Sequence, residues 1–271
     1  MEAIVLGVVQ GLTEFLPVSS SGHLVLGGHL LGLKEPQLFF DILVHVATLL
    51  ATCLFYRRAL WSMVSEGFGG CRALASGTPL GETLRSHPYF RFGLLVVAGS
   101  VPTAVIGLVF KDALEQLFHE PRQAAGMLLV TAAILMVTRF RSGGTQGLGS
   151  MALVTALVIG VAQGMAIVPG ISRSGTTIAC ALVLGVEREH AARFSFLLAI
   201  PAILGAMLLK LGEMTTLAGL DWVSLGAGFV AAAVTGFVAL KLLIPVVNRG
   251  AFHYFALYLI PAGVVGLFFL P

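Results

Sequence analysis

The sequence predicts an all-α integral membrane protein, with six transmembrane helices plus two re-entrant helix–loop–helix hairpins arranged as an inverted-topology repeat. Three observations predict it. First, charged residues are only 11% of the 271 residues and hydrophobic ones 57%, with a mean hydropathy of +0.97. A soluble domain carries about 25% charge, so this chain lacks the residues to cover a water-facing surface. Second, six apolar stretches reach the length of about 20 residues that a bilayer crossing needs. Third, two more apolar regions are each broken by a short polar run, and the two runs resemble one another.

The elements follow in order. Residues 3–32 form the first broken region, split by Pro17-Val18-Ser19-Ser20-Ser21-Gly22. Spans at 38–56, 91–110 and 123–140 follow it. Residues 151–186 form the second, split by Pro169-Gly170-Ile171-Ser172-Arg173-Ser174-Gly175, with spans at 191–211, 222–243 and 253–270 behind it. Each half of a broken region is too short to cross. Non-helical backbone at membrane depth persists only where protein or a watery cavity satisfies it, which favours two re-entrant hairpins. Residues 57–90 form the long polar loop, with no recognisable motif.

The broken regions align at a constant offset. Gly7-Val8-Val9-Gln10-Gly11 returns as Gly160-Val161-Ala162-Gln163-Gly164, and Ser19, Ser21 and Gly22 return as Ser172, Ser174 and Gly175. The single membrane domain therefore divides into repeat one, 1–146, and repeat two, 147–271. Three spans follow each hairpin, and because three is odd the second repeat is inverted. Paired interrupted helices of this kind place a site near the midplane.

Loop charge orients the chain. With re-entrant hairpins, Arg57, Arg58, Arg72, Arg85, Arg91, Arg139, Arg141, Arg188, Arg193, Lys241 and Arg249 share one side, against Lys34, Lys111, Arg122 and Lys210 on the other. The first side is then cytoplasmic, and both termini and the first hairpin face outward. Cys53, Cys71 and Cys180 are spaced for neither a disulfide framework nor a metal site. Glu2 stands where a signal peptide would carry a basic residue. The net charge of +3 is met by cytoplasmic loops and calls for no nucleic-acid partner.

Ionisable residues inside the apolar regions are functional candidates, because burying them in a membrane is costly. Gln10 and Glu14, four apart, share a helix face. Ser19 or Ser20 caps the returning helix, whose N–H groups and positive dipole end then point into the break. His23 lies in its first turn. Ser172-Arg173-Ser174-Gly175-Thr176-Thr177 repeats the device with a cation: helix N-terminus, hydroxyls and a guanidinium make an anion site suited to phosphate. Asp41 begins a span, where capping explains it as well as metal binding does, and His45 one turn later, also an intramembrane ionisable group, reads more readily as a satisfied helix histidine than as a ligand. Together these groups suit binding and cleaving a lipid-linked phosphate. Spacing alone does not separate cleavage from transport of an anionic lipid.

Gln10-Gly11-Leu12-Thr13-Glu14-Phe15-Leu16-Pro17-Val18-Ser19-Ser20-Ser21-Gly22-His23 resembles the first signature of the bacitracin-resistance type undecaprenyl-diphosphate phosphatases. Pro169 to Thr177 resembles the second, and Arg193-Phe194-Ser195-Phe196-Leu197-Leu198-Ala199-Ile200-Pro201 also looks like that family. The resemblance covers essentially the whole chain. It implies a hydrolase of the bacterial plasma membrane that removes the terminal phosphate of the C55 polyprenyl diphosphate, regenerating the monophosphate carrier of cell-wall synthesis. It implies a divalent cation, Mg²⁺ or Ca²⁺, and a site open to the outer face. Carried over residue by residue, the acidic motif falls on Gln10 and Glu14, the serine–histidine motif on Ser19, Ser20 and His23 with Ser21 between them, and the arginine loop on Ser172, Arg173, Ser174 and Thr177. Many relatives have Glu where this chain has Gln10. Glu14 then bears more of the cation or base role, with Asp41 and Gln10 as further candidate ligands. Either His23 is the general base or nucleophile, or Ser20 is a nucleophile activated by His23, or water attacks directly. Partners are the polyprenyl diphosphate and membrane lipids, with a homodimer left open.

The vanadium-haloperoxidase-like lipid phosphatases need a Lys-x6-Arg-Pro arm, which is absent here, and a His at a set spacing after Ser-Arg, and no His follows Ser172-Arg173 at that spacing. A carrier or flippase of a polyprenyl phosphate would use the same inverted architecture.

Overall fold

A computed structural model describes residues 1–30, 38–117, 120–141, 144–212 and 221–269. Lys34, residues 31–32 of the first hairpin and residue 270 of the last span lie outside the described residues. Among these residues the chain is helical, with no strand.

Helix α1 (Glu2–Phe15) ends because Leu16 precedes Pro17 and is extended, at φ −61° and ψ 143°, as a pre-proline residue prefers. Helix α2 (Ser20–Leu30) returns from the break. Helix α3 (Leu38–Phe55) is bent by 73° from α4 (Arg57–Ala75). Helix α5 (Leu80–Ser86) is short, and α6 (Pro88–Val109) begins on proline, where the missing N–H costs nothing. Helix α7 (Lys111–Leu117) leads to α8 (Pro121–Val137), and α9 (Leu153–Met165) and α10 (Arg173–Val183) flank the second break. Helices α11 (Arg188–Gly212), α12 (Trp222–Asn248) and α13 (Ala256–Phe269) complete the chain.

Residues 57–90, expected as a polar loop, are instead helical over α4 and α5. Helix α4 is too polar to register as a span, yet it is amphipathic at helical spacing. Gly70 lies against Phe90, and Glu66 accepts from the Tyr89 backbone N–H at 2.7 Å. Trp61, Val64 and Phe68 are exposed along the other side.

Among the described residues, five helices are long and apolar enough to cross a membrane, and a sixth crossing results if the bent pair α3–α4 counts as one span. Their outward faces carry residues such as Val97, Val105, Val230, Val238 and Phe268. That much exposed apolar surface would be a liability in water and is the ordinary exterior in lipid. The buried core is formed by Phe92, Leu128, Phe194, Leu198 and Leu240. By contrast, α1 has 14 residues and rises only about 21 Å, short of the roughly 30 Å hydrocarbon layer.

Small residues set the closest helix crossings. A Cβ on Gly7 would run into the Gly228 carbonyl where α1 meets α12, and one on Gly160 into the Gly99 carbonyl where α9 meets α6. Nearby, Thr103 Oγ1 donates to the Gly160 carbonyl at 2.8 Å. Since backbone cannot yield as a side chain does, Gly160→Leu should separate α6 from α9 and cost about 3 kcal/mol or more. Gly205→Ala, whose added Cβ meets nothing within 4 Å, should be neutral or slightly stabilising. Thermal midpoints of the two purified variants in detergent check this contrast.

Candidate active site

The site is built where the two breaks meet. In the first, Ser19 adopts a left-handed φ of 70° and its Oγ accepts from the Gly22 N–H at 3.2 Å. Ser19 is therefore the cap of α2, which leaves Ser20 free. In the second, Ser172 Oγ accepts from the Gly175 N–H at 3.1 Å and caps α10. Each capping oxygen also lies 3.3 Å from a neighbouring hydroxyl, Ser21 in one break and Ser174 in the other. Thr131 of α8 fastens the second break: its hydroxyl donates to the Gly170 carbonyl at 2.8 Å and accepts from the Ser172 N–H at 3.0 Å. Gly170 has φ +91°, and a side chain there would strike the Ala124 carbonyl, so both conformation and space demand glycine.

The breaks are in contact. An added Cβ on Gly22 would lie 3.1 Å from Gly170 Cα, and one on Gly175 3.2 Å from Pro17 Cβ. Ser174 Oγ donates to the Leu16 carbonyl at 3.4 Å. This contact carries Arg173 to Glu14 across the chain: Arg173 Nη2 is ion-paired with Glu14 Oε1. The other carboxylate oxygen accepts from Ser20 Oγ at 2.5 Å and from Gln10 Nε2 at 2.9 Å. The Glu14 side chain is only 4% exposed. Its charge is thus met by one cation and two neutral donors, as a buried carboxylate requires.

His45 of α3 completes the ring around this carboxylate, with Nε2 3.9 Å from Glu14 Oε2. The sequence reading treats it as an ordinary helix histidine. It does bond to its own helix, Nδ1 donating to the Asp41 carbonyl at 2.7 Å, but that bond aims the opposite nitrogen at the site. Asp41 enters through this carbonyl. His23 is engaged elsewhere than expected: Nδ1 donates to the Ser19 carbonyl at 2.8 Å, and Nε2 pairs with the Tyr258 hydroxyl at 2.6 Å. With Nδ1 facing a carbonyl, the neutral ring carries its hydrogen there and accepts from Tyr258 at Nε2. Ser20 therefore meets Glu14 rather than His23.

A cavity of about 10 Å³ lies at the centre, lined among others by Glu14, Thr52, Arg173, Ser174, Thr177 and Ser195. Thr177 Oγ1 donates back to the Arg173 carbonyl at 2.8 Å. Among the described residues no three His, Cys, Asp or Glu side chains gather into a metal cluster. One observation does favour a cation: Gln10 Oε1, beside Glu14, is buried without a hydrogen-bond partner. A hard cation that takes its remaining ligands from phosphate and water needs only one or two such oxygens from the protein.

The sequence names His45 and Ser195 without placing them in the site, and nothing in it marks Tyr258 or Thr52. His45 carries a signal, being an intramembrane ionisable group. Ser195 lies in the Arg193–Pro201 segment that resembles the family, whereas Tyr258 and Thr52 are uncharged side chains on apolar spans and carry none. If the Tyr258 hydroxyl orients His23, Tyr258→Phe should keep the fold and lower turnover about 2- to 10-fold, the worth of one neutral hydrogen bond. Steady-state phosphate release by purified protein checks it.

Fold and site together define a multi-pass membrane protein with a buried carboxylate–guanidinium centre. Residues 3–265 match the family described as bacitracin resistance protein BacA. The chain belongs to that family. It is 46% identical over 269 residues to an undecaprenyl-diphosphatase of Desulfosudis oleivorans, covering 98% of this chain and 97% of that one. It is 45% identical over 267 residues to one of Desulforapulum autotrophicum (98% and 96%). It is also 42% identical over 267 residues to one of Carboxydothermus hydrogenoformans (97% and 94%).

Proposed function

We propose that this chain is an undecaprenyl-diphosphatase, hydrolysing undecaprenyl diphosphate to undecaprenyl phosphate and inorganic phosphate. The observation that carries the site assignment is that one buried carboxylate binds both the Arg173 guanidinium and the Ser20 hydroxyl, at the junction of two capped helix N-termini. Nucleophile and base within hydrogen-bond reach is the arrangement that activates a serine.

In this reading the terminal phosphate displaces Glu14 from Arg173 and lies against the N-termini of α2 and α10. Both supply N–H donors and a positive dipole end. Ser20 Oγ attacks the terminal phosphorus and its proton passes to Glu14. The bond to the bridging oxygen breaks, and the polyprenyl phosphate leaves with that electron pair. Water then attacks the phosphoserine phosphorus, the bond to Ser20 Oγ breaks, Glu14 returns its proton to that oxygen, and inorganic phosphate leaves carrying the proton of the water. His23, held between Ser19 and Tyr258, moves protons at the rim. Arg173 stabilises the charge that develops on the phosphoryl oxygens. Glu14 and Gln10 would hold a divalent cation, Mg²⁺ or Ca²⁺, which when bound supplies further charge neutralisation on the phosphate.

The regions 3–32 and 151–186 are read as re-entrant hairpins of two inverted repeats, with the site facing outward. The matching glycine crossings of α1 on α12 and α9 on α6 support this, as does the shortness of α1. The same architecture suits a carrier, and one assay separates the two. Detergent-purified protein given undecaprenyl diphosphate and Mg²⁺ releases phosphate with no membrane or gradient present. Binding without release would instead favour the carrier.

A further inference from the structure

The polar groups around the central cavity are almost all committed to protein partners. Glu14 is bound by Arg173, Ser20 and Gln10. Thr52 Oγ1 donates to the Thr48 carbonyl at 3.0 Å, and Ser174 Oγ to the Leu16 carbonyl at 3.4 Å. Thr177 is tied to its own helix. Ser195 of α11 differs. It lines the same cavity, is 2% exposed, and its Oγ has no hydrogen-bond partner among the described residues.

A hydroxyl is both donor and acceptor, and burying it without a partner is unfavourable. Packing gives no reason for an oxygen here. Ser195 stands between Phe194 and Phe196, both buried, and alanine would fill the same space without a polar atom to satisfy. The cavity has room for about one water, which is also the space one phosphoryl oxygen needs. Arg173 opens onto the same space.

We propose that Ser195 is a further substrate-contacting residue, its hydroxyl donating to a non-bridging oxygen of the terminal phosphate while Arg173 holds the same group. The inference rests on the reading of this cavity as the diphosphate site. It adds α11 to the elements that grip the phosphate, so that the group is held from both breaks and from a span that belongs to neither. As charge builds on that oxygen during transfer, the hydrogen bond strengthens, which directs its effect to the transition state.

The test uses the full chain in detergent, with Ser195→Ala and Ser195→Cys, the latter keeping the volume but offering only a weak donor. Both should lose roughly 10- to 100-fold in kcat/KM for undecaprenyl diphosphate, the worth of a hydrogen bond to a charged group. Inhibition by inorganic phosphate should weaken in parallel. The thermal midpoint of Ser195→Ala should equal or exceed the parent's, because an unsatisfied hydroxyl has been removed. Parental kcat/KM in Ser195→Ala overturns the proposal. So does a loss accompanied by a lower thermal midpoint and unchanged phosphate inhibition, which would assign Ser195 to packing. Arg173→Ala, measured alongside, separates the two layers of the argument. If it is inactive while Ser195→Ala is parental, only the Ser195 inference fails. If Arg173→Ala keeps parental kcat/KM, the cavity is not the phosphate site, and the inference falls with that reading.

Discussion

Arg173→Ala should abolish phosphate release and also destabilise the protein by about 3–5 kcal/mol, the cost of leaving one partner of a buried ion pair uncompensated. The two effects have one cause. Glu14 is 4% exposed and Arg173 25% exposed at the side chain, so the guanidinium both neutralises the carboxylate at rest and waits for the phosphate. The effects separate in a second variant. Glu14→Gln combined with Arg173→Ala removes the orphaned charge, so the double variant should recover much of the lost thermal midpoint and remain inactive. Detergent melts and phosphate release on the same preparations check both. A double variant as unstable as Arg173→Ala would show that the destabilisation comes from lost packing of the long arginine stem, not from charge.

Ser20→Ala should reduce turnover by about 10³-fold or more, as removing a nucleophile does, with a stability cost confined to the donor that buried Glu14 loses, about 1.5–3 kcal/mol. The stability half of this expectation rests on the division of labour in the first break. Ser19, not Ser20, accepts from the Gly22 N–H, so α2 keeps its cap when Ser20 is lost. Ser19→Ala should differ, costing about 1 kcal/mol for the missing cap while retaining the chemical groups and their turnover. Rapid acid quench with substrate labelled on the terminal phosphate should place label on Ser20 in the parent. Near-parental turnover in Ser20→Ala would assign the attack to water directly.

Much of this site is legible in the sequence because its parts are local. The capped breaks follow from serine and glycine at fixed offsets, and the polar residues at membrane depth mark themselves by their cost. What is not legible is which side chains meet across the chain. His23 and Ser20 are near neighbours in sequence, which invites pairing them. The left-handed Ser19 turns His23 toward Tyr258 instead and leaves Ser20 on Glu14. His45 satisfies one nitrogen within its own helix, the feature that makes a helix histidine look ordinary, and its other nitrogen is assigned only once α3 is packed against α1. Tyr258 sits on a span where one aromatic among apolar residues is unremarkable, and Ser195, although inside the family-like segment 193–201, has nothing in its local pattern that aims it at the cavity. Helix α4 escapes a search for long apolar runs because its pattern lies in spacing, with Trp61, Val64 and Phe68 on one side and Gly70 on the other.

The central claim is that Glu14, Ser20 and Arg173 act as one phosphate-cleaving centre. The most direct measurement is gradient-free phosphate release from undecaprenyl diphosphate by detergent-purified Glu14→Ala, Ser20→Ala and Arg173→Ala beside the parent, each shown to be folded. The parent should release phosphate and all three variants should not. Full activity in any two of them would contradict the site.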